Sequence, residues 1–358
     1  MINARPSLSV IVPLADDPIE AAETFEALAA SDLPRGRWEL IVVAGTQAAD
    51  VVALAAQYAD AIVRVGSYRS GSAYLCNRGA AIARAPVLVF FDRDVAVIPD
   101  TLSRIDHAFA DAGLTAIVGS ILLAPPTATL PTRYRALVRQ WAHRRGAGPS
   151  EHFATYCGAI RATTFANAGQ LDEWRCPAIG GAAAHLGLRL RALGHRIEIR
   201  TDVRVASRRR ATWLEAAQPV TILTSPPPWM ADRTGDGRPE ATRRLRQRER
   251  WLASALWVVA LLAALAATRR SPDSGRAAAL VLVAVVLVDL PLLVHVARGG
   301  GVAVLGAALP LRAASLLTTG ARMAWDVARF HVVGEPRPDP GMDALSEVGA
   351  RAWPPDAN

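Results

Sequence analysis

Two aspartates one residue apart, Asp92 and Asp94, directly follow the apolar run Val87–Phe91 (VLVFF). Alternate residues at a strand end can aim both carboxylates at one spot. Two carboxylates suit a hard divalent ion, Mg2+ or Mn2+, whose shell a ligand's phosphates would complete. A bare D-x-D is also a common solvated turn. What favours chemistry here is its place after a strand apolar enough to lie in the middle of a sheet.

Other elements must hold that strand. Leu8–Pro13 (LSVIVP) and residues 39–43, 61–65 and 115–120 read as further strands, being β-branched runs bounded by turn residues. Residues 19–30, 50–59, 73–83 and 101–112 read as the helices between them. Such alternation predicts an α/β domain with a mainly parallel sheet covered on both faces. Ligands of these sheets bind at the carboxyl ends of the strands.

Composition narrows the partners. The 358 residues allow one large domain plus an appendage, 51% are hydrophobic, and the net charge is +8. Arg supplies every basic residue, for the chain has no Lys. A basic balance suits nucleic acid, anionic lipid or phosphorylated substrates. Arg204 and the run Arg208-Arg209-Arg210 come without an interleaved aromatic platform or reader motif, which points to a membrane-facing surface and no nucleic acid. Cys76, Cys157 and Cys176 form no C-x-x-C pair, so neither a zinc nor a redox motif is offered, and the odd, sparse count argues against a secreted disulfide scaffold.

The apolar excess lies toward the C-terminus. Residues 251–268 carry no charge and are just long enough to cross a bilayer core of about 30 Å. Residues 277–296 give a second span, interrupted by Asp289, Pro291 and His295. Asp289 is a functional candidate by its position, or faces a partner helix. After Gly299-Gly300-Gly301, residues 302–317 make a poor third span containing Pro310 and Arg312. From Leu316 onward, Leu316, Gly320, Met323, Val327 and Phe330 repeat at helical spacing, as in an interfacial amphipathic helix, so 302–333 reads as an interfacial or a third hydrophobic helix. Arg243, Arg244, Arg246, Arg248 and Arg250 precede the first span. That bias, with no signal pattern in residues 1–9, predicts a multi-pass protein of the cell membrane whose N-terminal domain is cytoplasmic. The expected organisation is a domain over 1–215, a linker over 216–242, a membrane segment over 243–333 and a disordered tail over 334–358.

The run from Ser70 to Leu102 resembles the core of the family 2 glycosyltransferases: a loop, a helix with N-[RK]-G, an apolar strand, then D-x-D-x-x-x-x-P. Asn77-Arg78-Gly79, Asp92, Asp94 and Pro99 fall in the matching places. SVIVPLADD from Ser9, CGAIRATTFANAGQLDEW from Cys157 and LGLRLRALGHRI from Leu186 resemble further segments of that family, in the right order over residues 8–205. The resemblance implies a GT-A fold and an inverting transfer from a nucleotide-sugar. Asp92 and Asp94 would serve the metal, and Asp92 the donor diphosphate too. Pro13, Asp16 and Asp17 would face the nucleotide. Arg78 is either a cation near phosphate or a surface residue. Gln247-Arg248-Glu249-Arg250-Trp251 fits the Q-x-x-R-W of processive relatives, but in this Arg-rich stretch it reads as a juxtamembrane basic cluster with a Trp anchor.

Two family features are missing. The second strand ends Val43-Ala44-Gly45-Thr46-Gln47 where an acidic pair is usual, and Ala182-Ala183 stand where the E-D base pair precedes L-G-x-R-L. General-base help contributes roughly 10²–10⁴-fold to rate, so a substitute is expected. The candidates are His185, whose imidazole type titrates near neutrality, and Asp172 and Glu173 of QLDEW; the bland alternative for His185 is an exposed helix residue. Two functions follow. One is a membrane-anchored glycosyltransferase acting on a lipid-linked or glycan acceptor. The other is a catalytically impaired relative that binds a ligand or partner, against which the retained D-x-D counts.

Overall fold

The strand run at Leu8–Pro13 forms β1 and is buried along its whole length. In the computed structural model the described residues are 5–45, 48–66, 71–145, 147–150, 152–173, 181–218 and 272–333. They fall into two units. Residues up to 122 with 143–209 form the first, and 123–142 with the described residues beyond 209 form the second.

The first unit is built on one sheet. Its strands are β1, β2 (Trp38–Ala44), β3 (Ala61–Arg64), β4 (Val87–Phe91), β5 (Val95–Val97), β6 (Ala116–Ile121), β7 (Gly148–Ser150), β8 (Cys157–Arg161) and β9 (Ile197–Ser207). Their order is β3-β2-β1-β4-β8-β6-β9-β5, with β7 also on β9. The half from β3 to β4 is parallel, as the alternation of strands and helices requires. The other half is mixed, with β6 and β9 paired parallel. β8 lies antiparallel between β4 and β6, and β5 and β7 run antiparallel to β9. The sheet is therefore mixed rather than mainly parallel. The apolarity of a strand reports its depth and not its direction, so CGAIR could not declare its sense.

The helices of this unit are α1 (Pro18–Ala29), α2 (Ala49–Ala55), α3 (Ser72–Ala80), α4 (Thr101–Ala108), α6 (Ala162–Asn167) and α7 (Gly181–Ala192). α5 (Leu130–Arg145) lies mostly in the second unit. α1 starts where Asp17 caps it and Pro18 occupies the first turn, both favourable to a helix N-terminus. Val10, Val12, Val42, Val89 and Phe91 join Phe25, Leu28, Leu102 and Ile105 in one core. The intervening Ile11, Ile41, Leu88 and Phe90 are equally buried, and Phe90 packs on Phe165. Both faces of the central strands are thus covered. At the amino end of the parallel strands, buried Glu39 accepts from Ser9 Oγ, from Arg84 N and from Arg84 Nε. Those bonds align β1, β2 and the entry to β4.

The second unit contains α5, α8 (Trp213–Ala216) and α9 (Pro272–Val333). α9 is not one rod. Gly301 leaves helical geometry at φ 73°, ψ −176°, a conformation natural only to glycine. Arg312 Nη2 and Nε reach Asp289 at 3.0 and 3.1 Å, although a straight helix would hold those residues about 35 Å apart. The chain therefore folds back at Gly301 into two limbs, 272–300 and 302–333. Leu292, Leu293 and Val296 of one limb share a buried cluster with Val304, Ala308 and Leu311 of the other and with Tyr134, Leu137 and Val138 of α5. The break falls at the glycine run, and Asp289 faces the other helix limb.

One apolar stretch among the described residues, Asp289–Thr319, is long enough for a membrane span by length and composition. Gly301 divides it. The expected first span, 251–268, lies outside the described residues, as do 219–242 of the linker, the tail 334–358 and the side chains of Met323, Val327 and Phe330.

Candidate functional site

The site is assembled at the carboxyl ends of β1 and β4. Ile11 lies opposite Phe90, a register that brings Pro13 and the loop after it to the same edge as the turn after Phe91. That turn is tight: Val95 N donates to Asp92 O at 3.2 Å, and Arg208 N donates to Asp94 O at 2.9 Å. The backbone of Asp92-Arg93-Asp94 is held from both sides, with both carboxylates half-buried. Thr155 Oγ1, in the approach to β8, donates to Asp92 Oδ1 at 3.4 Å. Arg93 points outward and pairs with Asp16 at 2.8 Å, joining the first-strand loop to the D-x-D turn.

Asp16 and Asp17 thereby part company. Asp17 Oδ1 accepts from Ile19 N at 2.7 Å and Glu20 N at 3.2 Å, so its carboxylate is engaged as the cap of α1. Asp16 remains at the site edge. Pro13 is buried at the end of β1. Arg78 is half-buried on α3, its guanidinium 5.3 Å from the Tyr74 ring centroid, and its buried Nε has no hydrogen-bond partner among the described residues.

α3 carries the second half of the site. Its close seat on the sheet depends on Gly79, where a Cβ would collide with Ile11 and Val43. Burial, and then the charge of Asp92, pushes the Cys76 thiol well above the usual range. Cys76 therefore stays protonated and lies near enough to Asp92 to sense it. The next residue, Asn77, is 3% exposed. Its Nδ2 donates to Leu171 O at 2.9 Å and to Glu173 Oε1 at 2.8 Å, while Leu171 N donates to its Oδ1 at 3.1 Å. The loop at 169–173 is thus tied to the helix that borders the D-x-D turn. Gly169 and Gln170 both adopt positive φ, and Arg189 of α7 donates to the carbonyls of Ala168 and Gln170. These bonds hold a turn that Gln170 would otherwise disfavour.

The three candidate bases are brought together by this loop and α7. Glu173 is bonded to Asn77. Asp172 Oδ2 lies 3.5 Å from His185 Nδ1, with side chains 12% and 13% exposed. His185 is not the exposed helix residue of the bland reading. Ala182 and Ala183, in the first turn of α7, are buried. Neither can accept a proton, and no described side chain of that turn replaces them.

The resemblance of the D-x-D turn to the family motif implies a divalent metal. Among the described residues no group of three or more His, Cys, Asp and Glu could hold an ion. The turn offers two half-buried carboxylates, and the nearby thiol is kept protonated. An oxygen-only, incomplete donor set suits Mg2+ or Mn2+ shared with phosphates rather than a closed protein cage. Sequence reasoning missed Thr155, Arg189 and the clamp made by Asn77. Asn77 and Arg189 lay inside recognised motifs, but their partners are distant in the chain and no spacing reveals them.

The family described as Glycosyl transferase family 2 matches residues 9–166. No curated protein matches the chain. Among solved structures, the mannosyltransferase PcManGT from Pyrobaculum calidifontis, in complex with GDP-Man and Mn2+, is similar at 18% identity over 93% of this chain and 89% of that chain, with a TM-score of 0.48. TarS 1-349 of S. aureus is similar at 14% identity over 56% of this chain and 60% of that one, with a TM-score of 0.45.

Proposed function

We propose that the chain, whose residues 9–166 match the family described as Glycosyl transferase family 2, moves a sugar from a nucleotide-sugar donor to a lipid-linked or membrane-proximal acceptor, inverting the anomeric centre. The observation that carries this reading is the D-x-D turn at the carboxyl end of β4, beside the loop after β1. Asp92 and Asp94 would hold Mg2+ or Mn2+, which when bound neutralises charge on the departing diphosphate. Asp16, tied to Arg93, borders the nucleotide. Arg78, with its unsatisfied Nε, supplies a fixed cation for phosphate.

The membrane part of the proposal rests on α9. Val283, Leu287, Leu290 and Val294 are exposed, and their spacing puts them on one stripe of the helix. Exposed Arg276 and Arg298 bound it, about 33 Å apart along the axis, close to the thickness of a bilayer core. Asp289 is neutralised by Arg312 on the other limb. The arginines before 251–268 favour a cytoplasmic transferase domain.

The buried alanines at 182 and 183 favour a second reading, a relative that binds nucleotide-sugar without turnover. Transfer from a panel of UDP- and GDP-sugars, with Mn2+ and membrane lipid extract, separates the two. The transferase reading expects turnover that falls by roughly a hundredfold or more in Asp94→Asn. Donor binding by the wild type without turnover supports the second reading.

A further inference from the structure

We propose that His185, oriented by Asp172, takes the proton from an acceptor hydroxyl in place of the missing acidic pair. The inference rests on the transferase reading and adds the base and the chemical class of acceptor.

The geometry selects among the three candidates. Glu173 accepts from Asn77 Nδ2 at 2.8 Å, which places its carboxylate in the clamp between loop and helix. Asp172 sits between Leu171 and Glu173, both held by Asn77. Its carboxylate meets His185 Nδ1 at 3.5 Å. Nδ1 is buried and closes no hydrogen bond among the described residues at that distance, so Asp172 acts on it by charge, and a proton on Nδ1 would leave Nε2 as the basic nitrogen. His185 also lies one turn beyond Ala182 on α7, hence on the same helix face. The loop that carries Asp172 is tied by Asn77 to α3, which packs on β1 beside the strand that ends in the D-x-D turn.

The step balances without a further reactant. Nε2 accepts the hydroxyl proton as the acceptor oxygen bonds to the anomeric carbon. The bond from that carbon to the diphosphate oxygen breaks, and its electron pair leaves with the nucleotide. A phosphate acceptor would be anionic at neutral pH already, so a dyad of this kind has a purpose only for a hydroxyl acceptor. Asp172 faces His185 from the loop; the neighbouring Glu173 is engaged with Asn77, and Arg189, one turn along α7, with two carbonyls.

The test uses the full chain in detergent with a UDP- and GDP-sugar panel, alkyl glycosides as hydroxyl acceptors and undecaprenyl phosphate as the phosphate acceptor. His185→Ala and the size-conserving His185→Gln should lower kcat roughly 10²–10⁴-fold with donor KM little changed, and imidazole should partly restore the alanine variant. Asp172→Asn should cost less than either His185 variant, lowering kcat with donor KM little changed. Nucleotide binding by calorimetry shows that each variant is folded. A wild type that transfers while both His185 variants keep its rate, or that transfers only to undecaprenyl phosphate, overturns the dyad and leaves the family reading standing. A wild type that transfers from no donor to either acceptor overturns both.

Discussion

Asn77 shows how little of a site can be written in one residue's neighbourhood. Its amide satisfies three hydrogen-bonding groups on a loop more than 90 positions away, and it does so almost fully buried. Asn77→Ala would leave Leu171 N, Leu171 O and a Glu173 oxygen without their partner. The expected cost is about 2–3 kcal/mol, seen as a fall of several degrees in melting temperature. Turnover should fall further than donor affinity, because the loop carries Asp172. An unchanged melting temperature would show that the clamp contributes nothing. The type and place of Asn77-Arg78-Gly79 were legible as a motif, and so was the need for Gly79 in a helix set close on strands. The partners were not, for they depend on β8 entering the sheet antiparallel and returning the chain beside α3. Asp92 and Asp94 were legible because their position follows from the strand before them. His185 was ambiguous because a lone imidazole on a helix has no periodic signature, and only the fold sets Asp172 against it.

At the scale of elements, α9 holds a contact that its apolar runs did not disclose. Those runs were legible as helices, yet Asp289 and Arg312 looked like separate defects in separate spans. The reversal at Gly301 makes them one bidentate pair, with side chains 8% and 17% exposed. Removing one member strands the other in an apolar cluster, at about 3–5 kcal/mol, whereas replacing both with apolar residues of similar size can be close to neutral. Asp289→Leu and Arg312→Met should therefore each destabilise the chain in detergent, and the double variant should recover most of the loss. Additive losses in that cycle, followed by thermal unfolding, would show that the pair is not coupled. The same lesson holds for the sheet. Burial of a strand was legible from β-branched runs, but its direction was set by connections such as α5 that the alternation of strands and helices does not encode.

The whole chain combines an α/β unit with an apolar helical hairpin and carries a net charge of +8 without a single lysine. Two forces would then act at a membrane, and they respond differently to salt. Arginine attraction to anionic lipid is screened beyond about 10 Å at 0.1 M salt, whereas insertion of an apolar stripe is not. Leu287 is 61% exposed and stands midway between Arg276 and Arg298, where an acidic residue in a lipid-facing helix costs about 3 kcal/mol. Leu287→Glu should therefore reduce flotation of the full chain with phosphatidylcholine vesicles at every salt concentration. Adding phosphatidylglycerol should increase binding of both wild type and variant by an increment that high salt removes. If the limb instead packs only against protein, the substitution leaves vesicle binding unchanged, and wild-type binding disappears in high salt even with anionic lipid. Retention of wild type on neutral vesicles in high salt, lost on substitution at Leu287, is the outcome that a lipid-facing stripe requires and that a purely electrostatic surface cannot produce.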